Sequence, residues 1–279
     1  MPAGFDAPPA RSLAWLYSRA PQRRPLAALF ALEREIGTSL RPGLDHAVAH
    51  ARLGWWREEC ARSAAGEAVH PLTRELAAAF EPAGRAALAE LTGLVDTAAW
   101  DLACATFETR RELEQYCERW SAAMIAPLAR LAGMPAAPAG ALRTFGRDLR
   151  ELELLLALAS DARLGRLRLP LEELARAGIP PEALARAPWS TTLAALLHER
   201  HHALRRALAA SATALGPESQ TALRGLLVWA AVAASHSQRA EALLPRAVAA
   251  RDHRAPLDGW RAWRAARRAD AGRGLALPD

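Results

Sequence analysis

The chain is 279 residues long, carries a formal net charge of +6 and is rich in Ala, Leu and Arg. That length allows one large domain or two ordinary ones with a sizeable core. Lys and Asn are absent, which excludes a lysine Schiff base and a P-loop lysine. The basic surplus favours phosphates or anionic lipid as partners, whereas no nucleic-acid-binding motif accompanies it.

The composition favours helix almost throughout, and no alternating apolar and polar run suggests a strand. The sequence therefore predicts an all-α fold. The cysteines, Cys60, Cys104 and Cys117, lack metal-ligand spacing and indicate a reducing compartment. The N-terminus does not resemble a secretion signal, and no uninterrupted apolar span reaches about 18 residues. We expect a cytoplasmic protein and leave open a peripheral association with the membrane.

Pro and Gly residues divide the first part of the chain into predicted helices. A short helix is expected over Arg11–Arg19 and a longer one over Arg23–Leu40, which Pro42 and Gly43 end. Asp45 is then placed to cap the next helix, because its side chain can accept from the first unpaired backbone N–H groups.

The middle of the chain begins with a stretch that looks like a linker, containing Gly84 and Thr92-Gly93. Thr106 is then a candidate N-cap for the helix that follows. A nearly continuous apolar run starts at Glu151 and predicts a buried helix. Ser190 is placed to cap a later long helix.

Short motifs spread along the chain together resemble one protein family. They are Leu29-Phe30-Ala31-Leu32 with Arg34, Arg52-Leu53 with Trp55-Trp56-Arg57-Glu58, Gly66 and His70-Pro71, Tyr116-Cys117, and Gly165-Arg166 with Leu169-Pro170. Their order and spacing resemble the squalene/phytoene synthase family over about residues 17–250. The resemblance implies an isoprenoid-synthase-type helical bundle around a central cavity, with one domain at 1–250 and a basic tail at 251–279.

The resemblance is lost where the family carries its two Asp-rich motifs. Gly37, Thr38 and Arg41 stand at the positions of the first motif, and Ala157 and Asp161 at those of the second. Ionisation of an allylic diphosphate needs Mg²⁺ held by carboxylates. The sequence thus predicts a non-catalytic or catalytically altered homologue without a cofactor, similar to the family branch that includes a mitochondrial complex I assembly factor.

The resemblance also implies which residues form the site. Asp161 is the surviving catalytic carboxylate of the second motif. Substrate or phosphate contacts are expected from Arg34, Arg57, Arg166 and Tyr116, and the cavity lining from Phe30, Trp56, Trp120 and Glu153. Arginine can bind phosphate oxygens without a metal, and the bulky Trp120 should narrow any tunnel. For the adjacent Trp55 and Trp56, ordinary core packing is the competing interpretation.

Two function classes follow from these expectations. The first is a protein that binds an isoprenoid, another lipid or a partner protein, in a role like that of an assembly factor. The alternative is an active prenyltransferase that condenses isoprenyl diphosphates with a reduced Mg²⁺ site.

A third class is suggested by an H-E-x-x-H pattern at His198, Glu199 and His202. On a helix the two histidines share a face, as a zinc hydrolase requires. No third ligand follows at a fitting distance, so we expect the pattern to be incidental.

The C-terminal segment combines aromatic and basic residues. Leu257, Trp260 and Trp263 alternate with Arg261, Arg264, Arg267 and Arg268 in a predicted amphipathic helix. Such helices lie on anionic membrane surfaces, although packing of the Trp rings on the body of the protein is an equal alternative.

Overall fold

A computed structural model describes residues 9–134, 139–247 and 255–276, and within these ranges it contains helices and no strand. The prediction of an all-α fold is confirmed. The α-helices are α1 (Pro9–Tyr17), α2 (Ala20–Gly37), α3 (His46–Ala65), α4 (Pro71–Ala78), α5 (Thr92–Leu102), α6 (Arg110–Met124), α7 (Ala126–Leu131), α8 (Ala139–Leu156), α9 (Leu158–Arg163), α10 (Leu171–Arg176), α11 (Thr191–Ala214), α12 (Pro217–Ala222), α13 (Arg224–Leu243) and α14 (Ala255–Asp270). Short 3₁₀ helices cover Thr38–Leu40, Pro82–Leu91 and Pro181–Ala185.

Side-chain caps set several helix starts. The Asp45 carboxylate accepts from the backbone N–H of Val48, and the Ser190 hydroxyl accepts from that of Leu193, so both predicted caps are confirmed. The cap of α6 is Thr109 and not Thr106. The Thr106 hydroxyl instead faces the Glu108 carboxylate, because the chain enters the helix one turn later than the pattern suggested.

The core is organised around α8, which packs against α6, α11 and α13. Its Phe145, Leu149 and Leu152 are fully buried. Gly146 allows the close approach to α6, since an added Cβ there would lie 2.0 Å from the Ser121 hydroxyl oxygen. The helix ends at Leu156, and α9 begins after the break at Ala157. This break lies within the second family motif.

The predicted linker around Gly84 and Thr92-Gly93 is wrong. These residues form a 3₁₀ helix and then α5, which packs against α3 and α6. Gly93 is required there because an added Cβ would lie 2.6 Å from the backbone oxygen of Arg119. Glycine is common in flexible linkers, but here it permits close packing between helices.

The C-terminal helix α14 packs against α13 and α1. One face of the helix is buried, at Ala262, Ala265, Ala266 and Ala269. Its buried Asp258 carboxylate lies 2.8 Å from the His236 ring. The expected domain boundary at residue 250 lies outside the described residues.

No helix within the described ranges is both long enough and apolar enough to cross a membrane.

Candidate functional site

A cavity of about 320 Å³ lies among α1, α2, α5, α6 and α8. Its size falls at the lower end of the range of about 300–1,000 Å³ that is usual for small-molecule sites. The polar lining comes from Arg11, Glu33, Arg34, Asp101, Tyr116 and Arg150. The apolar lining comes from Phe30, Ile36, Leu40, Leu94, Ala98 and Trp120. The cavity therefore offers both a hydrophobic surface and a set of charged groups.

Four partly buried charged side chains form a network that we call the charged box, namely Arg11, Glu33, Arg150 and Glu153. Arg11 pairs with Glu33 and donates to Glu153 at 3.0 Å. Arg150 donates to Glu153 at 3.3 Å and lies 3.9 Å from Glu33. Each guanidinium thus faces both carboxylates, and the box has no net charge.

Two tryptophans also donate hydrogen bonds to the carboxylates of the charged box. The Trp120 indole N–H donates to Glu33 at 2.7 Å, and the Trp229 indole N–H donates to Glu153 at 3.0 Å. The Arg11 guanidinium lies over the Trp229 ring, 4.8 Å from its centroid. A cation above an aromatic face is attracted by the ring quadrupole, which adds to the ion pairs.

Burial and charge act in opposite directions on the pKa of Glu33. Desolvation raises the pKa of this carboxyl, but Arg11, Arg150 and the Trp120 N–H outweigh it and lower the net value. For Arg11, burial lowers the pKa, and the carboxylates of Glu153 and Glu33 raise it above its ordinary value. At neutral pH Glu33 is therefore a carboxylate and Arg11 a guanidinium cation.

A second buried chain of charges runs from the cavity to the second family motif. The Tyr116 hydroxyl lies 3.2 Å from both oxygens of Asp101. Arg168 donates to the same carboxylate at 2.6 and 3.0 Å, and through its Nε to Asp161 at 2.6 Å. Burial raises the pKa of Tyr116, so its phenol keeps its proton and donates a hydrogen bond to Asp101.

These residues do not fit the Mg²⁺ cluster that the family's Asp-rich motifs would hold. Asp161 already has Arg168 on one of its oxygens, and the hydroxyl of Thr38 accepts from Arg52 at 2.6 Å. The described part of the chain contains no group of three His, Cys, Asp or Glu side chains arranged to hold a metal ion.

The structure brings several of the expected site residues together. Phe30, Arg34, Tyr116 and Trp120 line the cavity. Glu153 lies behind this lining, where it binds Arg11, Arg150 and Trp229. The Trp120 indole N–H also anchors Glu33, while the narrowing of a tunnel by this residue stays a prediction.

Three expected residues lie elsewhere. Arg57 is half exposed and pairs with Asp96 at 2.6 Å. Trp56 is buried and contacts Trp55 and the His70 ring edge to face. Arg166 is partly buried and is not among the residues that line the cavity.

Sequence reasoning missed Arg11, Asp101, Arg150 and Arg168, which form ion pairs at and behind the cavity. One signal was available for Arg168, because it stands at the tyrosine of the family pattern G-R-x-Y-L-P. The other three lie outside the motifs that carried the resemblance, so nothing local marked them.

The residues of the H-E-x-x-H pattern lie on α11. His198 is exposed and its Nδ1 lies 2.8 Å from Glu241, while Glu199 and His202 are also exposed. The buried histidine of this stretch is His201, which contacts the Ser237 hydroxyl at 2.9 Å.

Comparison with solved structures identifies the class of fold. The chain is similar to a dehydrosqualene synthase solved with a ligand, with a TM-score of 0.75 and 16% identity over 94% of this chain and 90% of that one. It is also similar to the squalene synthase HpnC from Alicyclobacillus acidocaldarius, with a TM-score of 0.62 and 19% identity over 81% and 86% of the two chains. These similarities define an all-α, isoprenoid-synthase-type fold.

The family follows from the sequence itself. The profile of the squalene/phytoene synthase family matches residues 9–261, and the chain belongs to this family. Comparison with curated proteins finds no match. The resemblance drawn from the short motifs is confirmed.

Proposed function

We propose that this protein is a non-catalytic member of the squalene/phytoene synthase family that binds an isoprenoid or another lipid in its central cavity. The proposal rests mainly on one observation. Arg168 donates a hydrogen bond to Asp161, the aspartate that survives from the Asp-rich motifs. A carboxylate neutralised by a buried arginine is a poor ligand for Mg²⁺, which needs negatively charged or strongly polar oxygens.

The chemistry of the family explains why this matters. An allylic diphosphate ionises when metal ions neutralise the charge that develops on the leaving group. Here the first motif offers Gly37, Thr38 and Arg41 in place of its carboxylates. The carboxylates nearest the cavity, Glu33 and Asp101, are each bound by arginine. Within the described part of the chain, the carboxylates at the cavity are already neutralised by arginine, which supports a non-catalytic role.

The cavity nevertheless keeps the features of a binding site. Phe30, Ile36, Leu40 and Leu94 give it an apolar wall, and the charged box gives it a polar one. An amphipathic lining of this kind suits a lipid with a polar end. A partner protein that recognises the ligand-bound form would fit an assembly-factor-like role.

A pyrophosphate-release assay tests the proposal against the alternative, which is an active prenyltransferase. The purified chain is incubated with farnesyl or geranylgeranyl diphosphate and Mg²⁺, beside an active squalene synthase as positive control. We expect no Mg²⁺-dependent release of pyrophosphate above background. Release that disappears in Asp161→Ala and persists in Asp96→Ala, a substitution of a surface aspartate, would refute the proposal.

We also propose that α14 contacts anionic membrane surfaces. Trp260 and Trp263 are each 53% exposed and Leu257 is 41% exposed, while the alanine face of the helix packs inward. Arg264 lies over the Trp260 ring, 4.6 Å from its centroid. Tryptophan rings flanked by arginines are suited to the headgroup region, where each arginine contributes about 1 kcal/mol.

Sedimentation with liposomes tests this contact. The full chain should bind vesicles with anionic lipid, bind neutral vesicles more weakly, and dissociate as salt rises. The double variant Trp260→Ala/Trp263→Ala should lose binding, whereas Trp55→Ala, which removes an exposed Trp from α3, should not. Equal binding by both variants would show that α14 is only a surface helix. Point substitutions are preferred to truncation, because removal of α14 would expose the apolar face of α13.

A further inference from the structure

We infer that a second cavity, between α13 and α14, binds the phosphate group of an anionic phospholipid and prefers a phosphomonoester headgroup. This inference rests on the proposed membrane contact of α14, and it names the chemical group that the helix recognises. It is carried by the residues that line the cavity, by the neutral partners of two of its arginines, and by the exposed apolar side chains beside them.

The lining of this cavity is basic. Its charged residues are Arg261, Arg264 and Arg268, and no described residue of the lining is acidic. The three arginines follow one another at spacings of three and four residues, so they share one face of α14. Arg264 is exposed, and Arg261 and Arg268 are partly exposed, so a ligand in the cavity can reach them. The cavity therefore offers an accessible site for an anion.

Two of the arginines have only neutral partners among the described residues. Arg264 lies over the Trp260 ring, 4.6 Å from its centroid. Arg268 donates to the backbone oxygens of Gly274 at 3.3 Å and Arg273 at 2.7 Å. An aromatic ring and backbone carbonyls carry no net charge, so neither guanidinium group is neutralised by them. An anion could bind both groups without displacing a carboxylate.

The third arginine is shared with a carboxylate. Arg261 donates to Asp258 at 3.4 Å, and the other oxygen of that buried aspartate faces His236 at 2.8 Å. The cavity thus holds two arginines without a described acidic partner and one that is partly neutralised. A phosphomonoester carries about −1.5 to −2 charges at neutral pH and three acceptor oxygens, whereas a phosphodiester carries a single negative charge. The monoester therefore matches this set of cations more closely.

The geometry of arginine favours phosphate over other anions. A guanidinium group presents its N–H donors in a planar fork that fits two phosphate oxygens at once. Two or three such forks on one helix face can bind different oxygens of the same phosphate. A small inorganic anion such as chloride offers no comparable set of acceptors.

The size of the cavity fits a headgroup and not a whole lipid. Its volume of about 200 Å³ lies below the range of about 300–1,000 Å³ that is usual for complete small-molecule ligands. The apolar part of its lining consists of small side chains, namely Ala231, Ala265 and Ala276. The acyl chains of a bound lipid would therefore stay outside the cavity.

The side chains beside the arginines indicate a lipid as the source of the phosphate. Leu257 is 41% exposed and precedes Arg261 by four residues, which places it on the same face of α14. Trp260 is 53% exposed and lines the cavity itself. When the headgroup of a membrane lipid is bound, these apolar side chains can enter the boundary between headgroups and acyl chains. A free phosphate ester would leave them in water.

Vesicles that differ only in their anionic headgroup test the inference. The full chain is mixed with phosphatidylcholine vesicles that contain phosphatidic acid, a phosphomonoester lipid, or phosphatidylglycerol, a phosphodiester lipid. The fraction of anionic lipid is adjusted until both vesicle types have the same zeta potential, because general attraction of arginines depends on the surface potential. Sedimentation should then show binding to phosphatidic acid that is at least about tenfold tighter, the effect of one additional hydrogen bond between charged groups.

Two arginine substitutions on α14 locate the site. Arg264→Gln removes a cation from the cavity and should reduce the preference for phosphatidic acid at least about fivefold. Arg267→Gln is the matched control, because Arg267 is an exposed arginine of the same helix that does not line the cavity. This control should weaken binding to both vesicle types alike and keep their ratio. Thermal unfolding checks that both variants are folded.

The contrary outcomes separate this inference from the membrane contact on which it rests. Equal binding to the two vesicle types, or an equal loss of preference in Arg264→Gln and Arg267→Gln, would overturn the inference and leave a general membrane contact of α14 in place. Release of the protein from phosphatidic acid vesicles by micromolar glycerol 3-phosphate would overturn the lipid source, since the cavity would then bind a free phosphate ester. Absence of binding to either vesicle type would overturn both the inference and the membrane contact.

Discussion

Replacement of Arg11 by leucine gives a direct measure of what the charged box contributes to stability. The substitution keeps an apolar side chain against the rings of Phe30 and Trp229 while it removes the cation between Glu33 and Glu153. The box then carries a net negative charge inside the protein. Loss of one partner from a buried ion pair typically costs about 3–5 kcal/mol.

The structure places Arg11→Leu at the lower end of that range. Glu153 keeps Arg150 at 3.3 Å and the Trp229 N–H, and Glu33 keeps the Trp120 N–H at 2.7 Å. We therefore expect a loss of about 3 kcal/mol in the free energy of unfolding. Urea denaturation followed by circular dichroism and fluorescence measures this loss, with the slope m compared to confirm that the same transition is observed.

A double substitution separates charge balance from packing. Arg11→Leu/Glu33→Gln restores a neutral box and keeps an acceptor for the Trp120 N–H. The double variant should be at least about 1 kcal/mol more stable than the sum of the single losses predicts, as is typical of residues in one network. Arg24→Leu is the control, because Arg24 is 84% exposed and pairs with Glu75 at the surface. The box does not act as an ion-pair network if Arg11→Leu lowers the free energy of unfolding no more than Arg24→Leu does. The same conclusion follows if the losses caused by Arg11→Leu and Glu33→Gln are additive in the double variant.

Further predictions concern pH, packing and metal content. Burial and the nearby Arg205 lower the pKa of His201 to about 3. Between this value and the unfolded pKa near 6.5, only the unfolded chain binds the proton, so the free energy of unfolding rises with pH. Lowering the pH from 6.5 to 5 should therefore cost about 1.6 kcal/mol through this residue, because the unfolded imidazole is already half protonated at pH 6.5. His201→Gln should flatten the pH dependence of the free energy of unfolding by that amount, and an unchanged slope would contradict this prediction. Gly146→Ala should destabilise the protein by about 1–3 kcal/mol, because the added Cβ would be overpacked against α6. Gly140→Ala is the control and should be neutral or stabilising in thermal unfolding, because an added Cβ there meets nothing within 4 Å. Similar melting temperatures for the two variants would refute the close contact at Gly146. Protein purified without a histidine tag should contain no stoichiometric zinc by elemental analysis, because His198 is exposed and paired with Glu241; zinc that is lost on His198→Ala would overturn this expectation.

Local patterns in the sequence determined the fold class and the family. Composition and periodicity predicted helices, and Asp45 and Ser190 marked two helix starts, because capping depends on residues within one turn. The ordered motifs from Leu29–Leu32 to Leu169-Pro170, with the one at Arg52–Glu58 the most specific, indicated the family. The loss of the Asp-rich motifs was equally visible, because it is a matter of residue identity.

Only the tertiary structure decided what surrounds the positions that were lost. Arg11 and Glu153 are 142 residues apart in sequence, and Arg168 and Asp101 are 67 apart, yet each pair shares a hydrogen bond. Nothing in the neighbourhood of an arginine specifies which distant carboxylate it will meet, so these pairs could not be inferred from spacing. Burial makes these pairs necessary for stability. A charge that water solvates at the surface needs an oppositely charged partner once helices pack around it, because desolvation of an unpaired charge is costly.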